Sequence, residues 1–428
     1  MFRLFHPVFA GMFAGVLALA CTPTAPLLPP SKPKPTMYPN SLEPDLRETL
    51  QVVETWPLET PRGRAPLPDT AAMWVDLIDH AESSIDVASF YAITEDGEAL
   101  EPVLMALERA RMRGVVIRFL LDDIFYRQMP ELPDQLTKLG YPVRRLNIKK
   151  VTEHGGVMHA KYMLVDHQRG CLGSANFDWR SLSHIQELSL RFDDPGLAGG
   201  LQAIFASDWA RAGDEPLPHQ EPIAPHFTLV HAGQHHRARL LASPPDMLPP
   251  GVSWELPELV AAIASAQSKV RIQLLSFHTV DRDKNPFPTL ANALQEAAKR
   301  GVRVELMVAD WNAEPGEIEP LIELSRTHGL NIKLTHVPPH SSGFIAFARV
   351  AHSKFMTVDD RLAWVGTSNW SGDYFNNSRN IGVLIEGGAL VASLAQVFDS
   401  LWASDLAQTV RPGGSYTAPH FREPPPAP

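Results

Sequence analysis

His159-Ala160-Lys161-Tyr162-Met163-Leu164-Val165-Asp166 and His352-Ser353-Lys354-Phe355-Met356-Thr357-Val358-Asp359 are the two stretches that decide the fold. Each leads into a second polar run, Gly173-Ser174-Ala175-Asn176 and Gly366-Thr367-Ser368-Asn369. In both copies Lys stands two residues after His, Asp seven, the hydroxyl residue fifteen and Asn seventeen. On a strand, positions i and i+2 share a face, so His and Lys project together while Ala160 or Ser353 points away. Imidazole attacks or carries protons near neutral pH, and an ammonium group neutralises a phosphate oxygen. Ser174, Asn176, Thr367 and Asn369 add hydrogen-bond donors for the same oxygens. Asp166 and Asp359, beyond an apolar run, are placed to anchor the strand that carries His and Lys. A lone copy is weak evidence, but two copies at matched spacing are hard to obtain by chance.

The repeat extends outward. Ala106 to Val115 (ALERARMRGV) and Val116 to Asp123 (VIRFLLDD) return at a constant offset of 187 as ALQEAAKRGV and RVELMVAD. The first block of each has helical apolar spacing, a basic end and a glycine stop. The second alternates and then runs apolar into an acidic end, as a buried strand does. Another strand-like run precedes each copy, Ser84 to Ala92 and Lys269 to Phe277. Strand–helix–strand order in each half predicts an α/β fold with largely parallel pairing, each half a mixed sheet flanked by helices. The halves are predicted over 69–225 and 237–410. A connector over 226–236 contains His231, His235 and His236, read as a solvated polar loop.

The doubled H-x-K-x4-D with G-[ST]-x-N downstream resembles the phospholipase D superfamily, over about Pro68 to Trp402. That resemblance implies a pseudo-two-fold axis that brings both motifs into one active site. It also implies chemistry that requires no metal and no cofactor. One histidine attacks phosphorus and becomes phosphohistidine, and the other protonates the leaving oxygen and then activates water or an alcohol. By the same resemblance His159 is the nucleophile and His352 the acid and base. Lys161, Lys354, Asp166, Asp359 and Glu187 complete the catalytic set, and Ser174, Asn176, Thr367 and Asn369 bind phosphate. Glu187 stands where related enzymes keep a carboxylate that orients an imidazole, whereas the matching residue in the second half is Asn380. A carboxylate stabilises imidazolium far better than an amide does, so the two histidines are expected to differ.

Substrate is narrower than the superfamily. The runs Leu172 to Leu182 and Gly366 to Phe375, with Ala88-Ser89-Phe90-Tyr91, look like the branch of endolysosomal 5′ exonucleases that act on single-stranded nucleic acid. Arg111, Arg113, Arg118, Arg144, Arg145, Lys149 and Lys150 are candidates for a groove that tracks a phosphate backbone. Tyr162, Phe177, Trp179, Trp370 and Tyr374 are candidates for base stacking. Two other readings stand beside this one. One is a phospholipase D or transphosphatidylase, including cardiolipin-synthase-like exchange, and the other a non-catalytic envelope scaffold.

Composition bounds these readings. The 428 residues carry 38 Lys and Arg against 48 Asp and Glu, a net charge of −10. That balance opposes a protein that coats nucleic acid by bulk charge, and leaves room for one cationic cleft. Two cysteines exclude a disulfide framework, and Cys171 is left without a partner. Residues 1–21 have one early Arg and a short apolar run ending Ala18-Leu19-Ala20 before Cys21. The run is too short to span a bilayer and suits a secretion signal, which ends either by ordinary signal-peptidase cleavage after Ala18-x-Ala20 or, the favoured reading, with Cys21 the candidate for lipid attachment as in a bacterial lipobox. Twelve prolines between Thr22 and Pro68 predict an extended tether over 22–68, and 411–428 reads as a Pro-rich tail. The expected location is therefore periplasmic, or the outer membrane of a bacterium through a lipid tether.

Overall fold

A computed structural model describes residues 47–152 and 155–422. The signal, Cys21, most of the tether and the last six residues lie outside that range. Two mixed sheets form the scaffold. Across the first, the strands run Leu50–Thr55, Glu187–Asp193, Arg169–Gly173, Tyr162–Val165, Ser84–Ser89, Val116–Asp122 and Val143–Leu146. The second begins at its edge with Phe227–His231 and then repeats this plan. Its strands follow as Gln234–Ser243, Asn380–Glu386, Leu362–Gly366, Phe355–Val358, Lys269–Leu274, Arg303–Ala309 and Leu330–Thr335, with Ala407–Val410 outermost.

Parallel pairing joins three consecutive strands of each sheet, those linked by helical crossovers, and in the second sheet also the short Ser253–Trp254 beside Gln234–Ser243. The motif strands Tyr162–Val165 and Phe355–Val358 pair antiparallel on both sides, so the expectation of largely parallel sheets is corrected. A short hairpin after each motif strand returns the chain at once, and only antiparallel pairing fits so short a connection. The repeated helices form as their spacing predicts, Glu101–Met112 and Thr289–Lys299. Each stops before a glycine at φ +89° or +92°, Gly114 and Gly301, in the left-handed region that glycine adopts without strain.

Three boundaries differ from expectation. Leu50–Thr55, inside the predicted tether, is an edge strand paired antiparallel with Glu187–Asp193. It occupies the place that Gln234–Ser243 holds beside Asn380–Glu386, so the duplication starts earlier than the motifs reveal. The prolines hide it, because they fill the crossing at 57–68 rather than the strand itself. The connector is likewise no loop: Phe227–His231 and Gln234–Ser243 make a hairpin turning at Ala232-Gly233, with the histidines on its strands and His236 buried. Finally, part of the tail is packed, with Phe421 stacked on Trp311 at 4.2 Å.

The halves share one of their apolar cores, and each has a further core of its own. Leu164, Leu188 and Phe205 of the first half belong to the same apolar cluster as Phe355, Ile381 and Phe398 of the second. Between the sheets lies a buried pair, Arg379 with Asp208 at 2.7 Å, whose guanidinium also donates to the carbonyls of Ser243 and Met247. Burial of such a pair is tolerated because each guanidinium nitrogen has a partner. Cys171 is buried and has no disulfide partner among the described residues, and burial pushes its thiol up to about 12. Among the described residues no helix is long and apolar enough to cross a membrane.

Candidate active site

Backbone exchange between the halves builds the site. The His159 amide donates to the carbonyl of Arg379, and the His352 amide donates to that of Gln186, each at 2.8 Å. Parallel bridges Met158–Arg379 and Gln186–Ala351 frame these contacts. Each motif histidine therefore sits beside the residue that follows its partner in the other half. His159 Nδ1 lies 3.0 Å from Asn380 Oδ1, and His352 Nδ1 lies 2.9 Å from Glu187. The difference between Glu187 and Asn380 is thus felt crosswise, with the first half's carboxylate serving the second half's imidazole.

Hydrogen bonds fix the tautomers. Asn380 spends its amide protons on the Tyr374 carbonyl, and Thr367 donates to Asn380 Oδ1. Oδ1 is then an acceptor toward His159, which places the proton on Nδ1 and leaves the Nε2 lone pair for the cleft. Glu187, supported by Ser181 at 3.0 Å, accepts from His352 Nδ1. That contact likewise puts a proton on Nδ1, so His352 Nε2 carries a proton into the cleft only while the ring is imidazolium.

Burial governs the charges. Burial and then the nearby ammonium groups of Lys161 and Lys354 hold His159 well below its ordinary value. His352 falls to about 4 through burial, partly offset by the Glu187 charge. Burial alone raises Glu187, but contact with His352 and Lys354 outweighs it and the carboxyl stays low. Lys161 is pushed well down by burial and by Lys354, and burial brings Lys354 to about 7. Each lysine donates to its own histidine's carbonyl, which fixes its buried head group beside that histidine. Four basic groups thus lie near two buried carboxyls, Glu187 and Asp122, and a bound phosphodiester adds negative charge that favours their protonated forms.

Other expected residues fall elsewhere. Asp166 accepts from the amides of Glu82, Ser83 and Ser84, and Asp359 from those of Gln267, Ser268 and Lys269. Both sit at the far end of their strands, so their place in the catalytic set is corrected to that of strand anchors. Ser174 is closed onto Leu188 of the neighbouring strand, and Thr367 onto Ile381 and Asn380. These hydroxyls brace strands rather than reach phosphate. Asn176 and Asn369 do line the cleft, each with a buried Oδ1 that has no partner among the described residues.

The basic groove is not assembled. Arg118 pairs with Asp86, Arg144 with Glu215, Lys150 with Asp214 and Arg111 with Glu108. Arg145 lies 3.8 Å from Asp123, and Arg113 caps the carbonyls of Ile78 and Ala81. Neither these residues nor Lys149 line the cleft. Of the expected stacking residues, Tyr162, Phe177 and Trp370 are core, while Trp179 and Tyr374 face the cleft. Sequence reasoning missed three contributors. Asp122 receives the Met158 amide at 2.8 Å beside His159, and burial raises its carboxyl to about 6. Its signal was the acidic pair that ends a buried strand. Phe90 packs against His159 at 4.9 Å, and Arg180, paired with Asp178, lies in the wall.

The cleft encloses about 1040 Å³ and holds both motif histidines. The family described as "Cardiolipin synthase, PLD-like domain" matches residues 74–209 and 259–402. The 5′-3′ exonuclease PLD3 of Rattus norvegicus is 32% identical over 399 residues, covering 84% of this chain and 80% of that protein. Phospholipase D Z of Dictyostelium discoideum is 31% identical over 357 residues, with 77% and 84% covered. In fold, a phosphatidylserine synthase of Haemophilus influenzae aligns with a TM-score of 0.59 at 14% identity, over 84% of this chain and 87% of that one. With its doubled motif folded into one cleft and its family matched in both halves, the chain belongs to the phospholipase D superfamily and is a phosphodiesterase.

Proposed function

We propose that the protein removes nucleotides stepwise from the 5′ end of single-stranded nucleic acid, through a phosphohistidine. The carrying observation is the wall of the cleft. Phe90, Tyr91, Phe125, Trp179, Trp311 and Tyr374 present aromatic rings around the two histidines, alongside aliphatic side chains such as Ile93, Ile185 and Leu275. Aromatic faces stack any base, with about 1–3 kcal/mol per base. The naming of relatives about 30% identical as 5′-3′ exonucleases supports the same reading.

The chain's own groups supply each step. His159 Nε2 attacks phosphorus, forming an N–P bond as the P–O bond to the leaving group breaks in line. His352 gives its Nε2 proton to the departing oxygen. Lys161, Lys354, Asn176 and Asn369 hold the non-bridging oxygens as charge shifts onto them. Water, deprotonated by His352, then breaks the N–P bond and frees His159. Cys21 carries a lipid in this reading and holds the domain on the far side of the inner membrane, as the pattern of residues 1–26 supports. Mass spectrometry of the mature N-terminus tests that placement.

The activity test uses the mature protein in excess EDTA with two substrates. Single-stranded oligonucleotides bearing 5′-hydroxyl or 5′-phosphate should release mononucleotides progressively from the 5′ end. Phosphatidylcholine with a primary alcohol should yield no phosphatidylalcohol. Phosphatidylalcohol without nucleotide release would replace the nuclease by a transphosphatidylase, and inertness toward both would leave a binding scaffold.

A further inference from the structure

The segment from Pro338 to Val350 runs straight into His352 and forms one wall of the cleft. Two of its aromatic side chains, Phe344 and Phe347, are 52% and 43% exposed. Leaving rings of that size in water forfeits burial energy, so an exposed pair in a cleft wall calls for a ligand. The backbone beneath them is strained as well. Phe347 and Arg349 have φ of 55° and 53°, in the left-handed region that side-chain-bearing residues rarely occupy.

Three remote parts of the chain hold this wall in place. Glu59 accepts from the amide and hydroxyl of Ser341 at 2.8 and 2.6 Å. Arg180 donates to the Ala346 carbonyl at 2.8 Å. Arg349 donates to Pro338 and to Thr60. From the C-terminus, Phe421 accepts from the Phe347 amide at 2.7 Å and stacks on Trp311, which itself faces the cleft. Rigid aromatic surface of this kind binds without first being ordered, which lowers the cost of association. Behind it, Ile185, Ala309 and Val350 pack as one small apolar cluster with Trp311 and Ile345 against its edge. The wall therefore belongs to the His352 side, whereas His159 is flanked by Phe90 and Tyr374.

We infer that Phe344, Phe347 and Trp311, braced by the C-terminal Phe421, form a stacking subsite for the base of the leaving nucleoside. The inference rests on the nuclease reading and on His352 as the proton donor, since the leaving oxygen must lie beside that group. The retained nucleoside, bound through phosphorus to His159, then stacks on the opposite side. Phe421 acts as a positioning residue: it touches Trp311 and the backbone of Phe347.

Dinucleotides with an abasic residue on one side or the other test this, with product analysis showing which nucleoside leaves without phosphate. Wild type should lose about tenfold in kcat/KM when the leaving-side base is removed, as expected from one stacked base. Phe344→Ser and Phe347→Asn, the latter a residue that tolerates positive φ, should bring that ratio close to one and leave the retained-side ratio in place. Phe347→Tyr should restore it, and Phe421→Ala should reduce it part way. A merely structural role would lower all substrates together and leave both ratios unchanged, which would overturn the subsite. Loss of the retained-side ratio instead would overturn it equally. Should the variants keep the base ratio and lose only sedimentation with phosphatidylglycerol vesicles, the wall is a lipid contact and the subsite falls. Wild type that cleaves no nucleotide diester removes the nuclease reading and the subsite with it; cleavage with unaltered variant ratios removes the subsite alone.

Discussion

The two halves of the molecule share a sheet order, a motif and a set of anchors, yet they surround their histidines differently. His159 has an amide partner, Asn380, with Phe90 and Tyr374 packed against its ring at 4.9 and 4.8 Å. His352 has a carboxylate partner, Glu187, which Ser181 supports, and Leu275 stands where the first half has Phe90. Duplication gives a paired cationic pocket, which is what a phosphodiester anion requires. The departure from symmetry divides the labour. An imidazole beside an amide and two lysines stays neutral and keeps a lone pair, while one beside a carboxylate retains a proton more readily.

The most severe way to break this comparison is to remove each ring in turn. His159→Asn and His352→Asn should each lower oligonucleotide turnover by about 10⁴-fold, since nucleophile and proton donor are both lost from the chemical step. Replacing the leaving nucleoside with 4-nitrophenolate should separate them. That anion departs without a proton, so the first turnover of His352→Asn should recover and that of His159→Asn should not. Rapid-mixing measurement of nitrophenolate release makes the distinction. Recovery in His159→Asn instead would exchange the two roles.

The pairing of strands explains which parts of this could be read from sequence. His159, Lys161, His352 and Lys354 were legible because strand periodicity puts each pair on one face, and the repeat made chance implausible. Glu187 and Asn380 were legible as a difference. The imidazole each serves was not, because that depends on the Met158–Arg379 and Gln186–Ala351 bridges between distant segments. Leu50–Thr55 escaped notice since its partner strand lies far along the chain and prolines crowd its C-terminal side. Ser174 and Thr367 were misread because a hydroxyl near a phosphate motif looks like a ligand. Only the fold shows those hydroxyls turned onto neighbouring strands. The cleft wall before His352 was invisible, since Phe344 and Phe347 match no period and are held by Glu59, Arg180 and Phe421 from three remote places.

A milder perturbation exchanges the partners. In the free protein His352 must be protonated to act, and its value lies near 4. The kcat/KM profile should therefore fall as pH rises above that value, giving an acidic optimum. Glu187→Gln removes the offsetting charge, lowers His352 further and should move the falling limb to lower pH. Each unit of displacement costs about tenfold at a fixed pH above the limb. Asn380→Asp works on the other histidine. A carboxylate there raises His159, so protonation blocks the nucleophile on the acidic side and the rising limb should move up. If both substitutions shift the same limb, the crosswise assignment fails.

The smallest effect belongs to the places where the halves remain alike. Asp166 and Asp359 each gather three backbone amides and a serine hydroxyl at the start of an adjacent strand, and Arg169 adds an ion pair to Asp166 alone. Asp166→Asn should cost ~2 kcal/mol of stability, the order expected for hydrogen bonds to a charged acceptor, with kcat retained. Asp359→Asn should cost slightly less, for want of the arginine. These amide contacts outweigh partial burial and hold Asp166 at about 2, below its ordinary 3.8. A depressed carboxyl stabilises the fold above its unfolded value, and that contribution disappears as pH falls through the folded one. Chemical denaturation should thus show a constant gap between wild type and Asp166→Asn at neutral pH, closing between about 4 and 2. A fall in kcat for one anchor but not the other would mean that the asymmetry of the site reaches the far ends of its strands, and that the scaffold is less symmetric in its energetics than in its geometry.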